Sequence, residues 1–285
     1  MKKDRFQVKG GTLEDFKTYL LERENAASTV EKYLRDVRTF FQYLGQKRQL
    51  SKEGLLGYKQ WLQENYAVNS VNSMLAALNQ FLIFSGLERM RLKSVKVQRQ
   101  DFQNLGKELG KEEFHLLIKT ARNQGEEQLA MLMETMCSTG IRVSELKYFS
   151  VENVRTGLIK VWNKGKHRLV ILPKALQKRL LLFIKKEKIR SGPVFRTRSG
   201  MSKNRSNIWR EMKRLAEKAG VPAEKVFPHN LRHLFARVFY RQTKNLLNLA
   251  DILGHSSLEV TRIYASQGYT EWKRNIEKLK ILETT

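Results

Sequence analysis

Phe227-Pro228-His229-Asn230-Leu231-Arg232-His233 opens the stretch on which the reading of this chain turns. An apolar run follows, then Leu253-Gly254-His255-Ser256-Ser257, and the stretch closes at Tyr264. His229 and Arg232 are three apart, so a helix sets them on one face. Pro228 suits the first turn of that helix, where its missing N–H costs little. Leu246, Leu247, Leu249, Ile252 and Leu253 repeat at helical spacing, and Gly254 is placed to end their helix. Ser256 with Glu259 three residues on reads as a capping box for a last helix, which carries Tyr264 about two turns further on. A tyrosine hydroxyl becomes a useful nucleophile where cations bind the anion it attacks. Alone, each of these residues is ordinary: a packed tyrosine with a wet hydroxyl, a solvated helix face. Their combination carries the signal.

A second box lies far upstream, Thr139-Gly140-Ile141-Arg142-Val143-Ser144-Glu145-Leu146, with Arg142 just after a glycine break. Between the boxes is the clearest β pattern of the chain. Gly157 to Trp162 leads into Asn163-Lys164-Gly165-Lys166 and returns as His167 to Leu172, a hairpin whose turn carries lysines. Together these boxes resemble the tyrosine recombinases, or phage integrase family. That family's pattern is an arginine in a T-G-x-R-x-S-E-L box, a lysine on a hairpin, H-x-L-R-H, L-G-H, and a tyrosine nine residues after that histidine, the spacing of His255 and Tyr264 here.

The resemblance implies a site-specific DNA recombinase that cuts and rejoins DNA through a 3′-phosphotyrosine link and a Holliday junction, with no ATP. Tyr264 would be the nucleophile. Arg142 and Arg232 would clamp the non-bridging phosphate oxygens, a task suited to the guanidinium fork. Lys164 would protonate the departing 5′ oxygen, with Lys166 also open because the turn is shorter than the family's G-K-G-x-K-x-R. His229 would exchange a proton with Tyr264, His255 would donate a hydrogen bond to the phosphate, and Glu145 would orient its neighbours. His233 is read as structural, facing elsewhere from His229. Leu234 stands where the family often has Thr or Ser. The segment from Phe235 to Tyr264 is more similar to integrases of mobile elements than to dimer-resolution recombinases. No Cys/His cluster has zinc spacing, no acidic cluster suits magnesium, and no Walker-type loop is present, so the expected cofactor is none and the expected metal is none. The rival readings are a type IB topoisomerase and an inactive DNA-binding regulator.

Working outward, residues 1–10 are polar and basic and read as a flexible arm. Residues 11–87 carry four amphipathic stripes, with Ser28, Ser51 and Ser70 as candidate caps. Their position and length resemble the family's core-binding domain, a SAM-like helical bundle. Residues 88–109 lose apolar periodicity, hold many Arg and Lys, and read as a basic linker that can lie along phosphates. Residues 110–285 would form the catalytic domain. The expected fold is mainly α: the bundle plus a mostly helical lobe with one small hairpin. Past Ala265, Trp272, Ile276, Leu279 and Ile281 mark an amphipathic tail. By resemblance it would dock on a neighbouring protomer of a homotetramer on synapsed, inverted-repeat double-stranded DNA, with an accessory or partner recombinase also open. The alternative is a helix packed on its own domain.

Lys and Arg number 54 against 28 Asp and Glu, a formal charge of +26, which points to a polyanion and to nucleic acid ahead of membrane. The one cysteine, Cys137, cannot form an intrachain disulfide, which suits a reducing cytoplasm, where a DNA partner would make the protein nucleoid-associated. No run approaches a membrane span, so no membrane partner is expected. The charge generates a first prediction. The logarithm of DNA affinity falls linearly with the logarithm of salt, by about 0.9 for each phosphate neutralised. Fluorescence anisotropy across a salt series checks it, and a slope worth only one or two phosphates would contradict binding by two basic lobes.

Overall fold

The computed structural model describes residues 6–7, 12–45, 49–96, 108–163, 166–255 and 257–262. The chain divides into two compact units, 1–99 and 100–285. The first holds four helices, α1 (Thr12–Glu22), α2 (Ala27–Leu44), α3 (Lys52–Asn65) and α4 (Val68–Phe84). Their stripes meet in one core around Phe16, Phe40, Tyr58, Leu62 and Phe81, all but excluded from water. Phe81 takes Phe16 and Phe41 edge-on, each with ring centroids 5.3 Å apart, the arrangement aromatic quadrupoles favour.

Of the three serines expected to cap helices, Ser51 does so, accepting from Gly54 N at 3.1 Å. Ser28 and Ser70 instead lie inside α2 and α4, whose caps are Ala26 and Ala67. A side-chain cap is worth about 1 kcal/mol. Starting each helix earlier adds backbone bonds, from Thr29 and Val30 to Ala26 O and from Ser70 and Val71 to Ala67 O, and these offset that preference.

The arm and the linker also differ from expectation. Within the arm, β1 (Phe6–Gln7) pairs antiparallel with β2 (Gln49–Leu50), Phe6 opposite Leu50. Residues 88–96 are not a free linker but a strap on the bundle. Met90 and Leu92 are buried in its core, and side chains that the periodicity does not report hold the strap's backbone. Asn79 donates to Leu92 O and accepts from Leu92 N, both at 2.8 Å. Asn72 does the same for Val95, and Lys52 donates to Met90 O and Arg91 O.

In the second unit, Leu109 is fully buried just ahead of α5 (Lys111–Asn123). Its central element is α6 (Glu127–Thr139), where every residue from Leu129 to Met136 is buried. A helix apolar nearly all round is enclosed by others, here α5, α8 (Lys174–Lys186), α9 (Arg205–Ala219) and α10 (Pro228–Thr243). A 3-10 turn (Val143–Tyr148) and the short α7 (Val151–Thr156) lead to the hairpin of β3 (Leu158–Asn163) and β4 (Lys166–Ile171). The register pairs Leu158 with Ile171 and Asn163 with Lys166. Ile159, Val161 and Val170 turn inward, while Leu158, Trp162, Leu169 and Ile171 face outward, the alternation a half-buried hairpin requires. The apolar run after His233 is two helices, broken where Lys244 takes a left-handed conformation and Asn245 caps α11 (Leu246–Leu253) through Asn248 N. The last described helix is α12 (Leu258–Arg262).

The strap generates the second prediction. Asn79→Ala leaves both backbone groups of Leu92 without their partner and lowers the stability of the full chain by about 1–3 kcal/mol, read by urea denaturation. An exposed control on the same helix such as Asn69→Ala leaves it unchanged within error.

Candidate active site

Two helix ends build the floor of the site. Gly140 terminates α6 and Gly254 terminates α11, both in the left-handed conformation that only glycine adopts readily. Helix C-termini leave carbonyls unsatisfied and carry partial negative charge. Gly140 is also a point of close approach: a Cβ there would lie 2.5 Å from Phe235 and 2.9 Å from Leu253. Packing of α10 and α11 at this spot brings the two helix ends together.

Arg232, from α10, occupies the gap and is only 2% exposed. It donates from Nη1 to Gly140 O at 2.6 Å and from Nη2 to Leu253 O at 2.7 Å. Its Nη2 also lies 3.0 Å from His255 Nε2. Arg142 approaches the same turn from the other side, with Nη1 3.4 Å from Leu253 O and Nη2 3.3 Å from Gly254 O. Its side chain is 35% exposed, so one guanidinium is interior and the other faces solvent.

Glu145 holds Arg142 in place. One carboxylate oxygen accepts from Arg142 N at 2.8 Å and the other from Arg142 Nη1 at 3.2 Å. Burial pushes its carboxyl up, but the Arg142 N–H and the two guanidinium groups more than offset this and hold it below the ordinary carboxylate value. The second guanidinium belongs to Arg168 on β4, which sequence reasoning did not single out. Arg168 donates to Glu145 at 2.6 Å and to Ile252 O at 2.5 Å, and its Cδ would lie 2.6 Å from a Cβ at Gly254. The signal that could have found it is modest: a charged residue at an inward position of the hairpin, between outward His167 and Leu169.

The histidines are kept neutral by their surroundings. Burial, then Arg232 and Arg142, lower the pKa of His229, and the same causes, with Arg168 and His229, push His255 down to about 4. An arginine nitrogen can only donate, so His255 Nε2 accepts from Arg232. Its proton therefore sits on Nδ1, which faces Thr261 Oγ1 at 2.8 Å. The expected donation from His255 to a phosphate needs a proton on Nε2, the nitrogen that here lies 3.0 Å from Arg232 Nη2. His233 does not face away from His229: their rings pack edge to face with centroids 4.2 Å apart. Four residues are a little over one helical turn, so the two share a side. Burial and then the neighbouring His229 push His233 down to about 4.

The structure thus gathers Arg142, Glu145, Arg232 and His255, with His229 on the same helix as Arg232. Lys164, Tyr264, Ser256 and the tail after Ala265 lie outside the described residues, as does the side chain of Lys166.

Residues 107–271 match the family profile described as phage integrase family, and residues 13–88 match the phage integrase N-terminal SAM-like domain. Tyrosine recombinase XerD of Vibrio cholerae is 30% identical over 274 residues, covering 89% of this chain and 91% of the relative. Tyrosine recombinase XerA of Thermococcus kodakarensis is 31% identical over 282 residues, covering 95% and 96%. Among solved structures, XerH bound to its difH substrate superposes with a TM-score of 0.70 at 19% identity, covering 98% of this chain and 90% of that one. A lambda integrase dimer on a core site gives 0.71 at 16%, covering 90% and 78%. At such identities the structures establish the shared fold.

The Glu145 network generates the third prediction. A carboxyl held below 4.5 contributes stability that is present above the unfolded value and is lost as pH falls through the folded one. Glu145→Gln is therefore less stable than the parent at pH 7, by about 2 kcal/mol or more. The gap closes as pH drops below the ordinary carboxylate range, which denaturation at pH 7, 5 and 3 reads directly.

Proposed function

The chain belongs to the phage integrase family, and from that premise we propose how its residues divide the work. It is a site-specific tyrosine recombinase, an enzyme that cleaves and religates DNA, and relatives of that activity match along nearly their whole length. Neither topoisomerase-like relaxation nor a purely binding role is favoured. The observation that carries the assignment of roles is the convergence of Arg142, Arg232 and His255 on one glycine turn.

A scissile phosphate entering beside this turn competes with Leu253 O and Gly254 O for the two guanidinium groups. A phosphate brings full charge where the carbonyls bring dipoles, so charge-assisted bonds favour the exchange. The pentacoordinate transition state carries still more negative charge, and fixed cations stabilise it more than the ground state. Tyr264 Oη attacks phosphorus and the bond to the 5′ oxygen breaks. The tyrosine proton passes to His229, which is neutral at pH 7 because burial and nearby arginines lower its pKa, and Lys164 protonates the departing 5′ oxygen. The 3′-phosphotyrosine link preserves the phosphodiester's energy, so a free 5′ hydroxyl reverses the steps and reseals the strand without ATP. In this reading four protomers act on paired, inverted-repeat DNA through a Holliday junction. The tail after Ala265 joins neighbours, and the protein works in the cytoplasm at the nucleoid. Among the described residues no helix is long and apolar enough to cross a membrane.

The test uses a nicked duplex carrying a site selected from random DNA by the wild-type protein. Wild type traps a covalent adduct, while Tyr264→Phe binds and traps none. Lys164→Ala slows cleavage by roughly 10² to 10⁴-fold, and a 5′-bridging phosphorothioate, whose sulfur leaves without a proton, restores most of the rate. An adduct on another tyrosine such as Tyr240, or rescue of Lys166→Ala in place of Lys164→Ala, overturns these assignments.

A further inference from the structure

Thr261 lies on α12, between the glycine turn and Tyr264, and it is completely buried. Its hydroxyl sits 2.8 Å from His255 Nδ1, while the opposite ring nitrogen, Nε2, sits 3.0 Å from Arg232 Nη2. The direction of both bonds follows from one fact: Arg232 has no lone pair to offer. Nε2 must accept, Nδ1 must carry the proton, and Thr261 Oγ1 must accept it. Protonating both nitrogens would set two donors face to face beside Arg142, Arg168 and Arg232, and those arginines with burial oppose it. The second nitrogen's partner decides which tautomer an imidazole adopts.

We propose that Thr261 is a positioning residue for DNA cleavage, its buried hydroxyl holding His255 in the Nδ1–H tautomer and so tying helix α12, three residues before Tyr264, to the Arg232 side of the phosphate clamp. The chain Arg232–His255–Thr261 links the clamp and α12, which precedes Tyr264 in sequence, through a single ring. The proposal rests on the reading of Tyr264 as nucleophile for its consequence in catalysis, but its central claim, the tautomer, is measurable without DNA. With Thr261 in place, His255 orients Arg232 as an acceptor. Donation from Nε2 to a phosphate then needs a proton acquired as DNA enters, or a rotation of the ring.

The experiment compares Thr261→Val, which keeps the shape and removes the hydroxyl, with Thr261→Ser, which keeps the hydroxyl. Long-range proton–nitrogen spectra of the full chain at neutral pH, with His255 assigned through a His255→Gln control, report the tautomer. Wild type and Thr261→Ser should show the proton on Nδ1, whereas in Thr261→Val that buried N–H faces a methyl group and has no acceptor, a penalty that offsets the demand of Arg232 on Nε2 and lets a mixture of tautomers appear. On the nicked duplex, Thr261→Val should form the covalent adduct about 10- to 100-fold more slowly at unchanged DNA affinity, with Thr261→Ser within about threefold of wild type. A wild-type His255 protonated on Nε2 or on both nitrogens overturns the proposal. So does a Thr261→Val protein that cleaves at the wild-type rate, or a Thr261→Ser protein as slow as Thr261→Val. If wild type yields no adduct while the tautomers behave as expected, the nucleophile assignment fails and the positioning of His255 stands.

Discussion

The burial of the Arg232 guanidinium between two helix ends is the constraint on which the catalytic unit depends. A charge taken out of water is costly unless strong partners replace the solvent. Here Gly140 O and Leu253 O supply part of that replacement, each the exposed negative end of a helix. The arrangement works only if α6 and α11 both stop where they do. That is why glycines stand at 140 and 254, and why Gly140 tolerates no side chain against Phe235 and Leu253. The fold and the site therefore share their central interaction, and a substitution that loosens one loosens the other.

Arg142 is held differently. It is partly exposed, and its aim comes from Glu145, which Arg168 braces from the hairpin. Breaking a buried ion pair by removing one partner typically costs about 3–5 kcal/mol, so this network is costly to disturb even though Glu145 and Arg168 need not touch DNA. Through Arg168 the hairpin is fastened both to Glu145 and to the last turn of α11. The strand that follows Lys164 is thereby anchored to the turn that bears His255.

The amino-acid sequence by itself determined the class of fold and singled out Arg142, Glu145, Arg232 and His255, which the structure brings together around one turn. Four amphipathic stripes specify a bundle because their apolar periods leave one buried face each. The glycines at 140 and 254 mark helix ends because their backbone freedom is local chemistry. Pro228, Ser51 and the alternation of the hairpin are legible for the same reason. Only the tertiary structure decided how these pieces meet. Caps at Ser28 and Ser70 gave way to longer helices, since the competing terms differ by little. Residues 88–96 were ordered by Asn72 and Asn79 across the bundle, a bond between distant side chains that no periodicity records. The acceptor role of His255 and the brace from Arg168 likewise depend on distances between elements far apart in the chain. A sequence can name the residues of such a site, but which nitrogen carries a proton is settled by the atom that packing places opposite it.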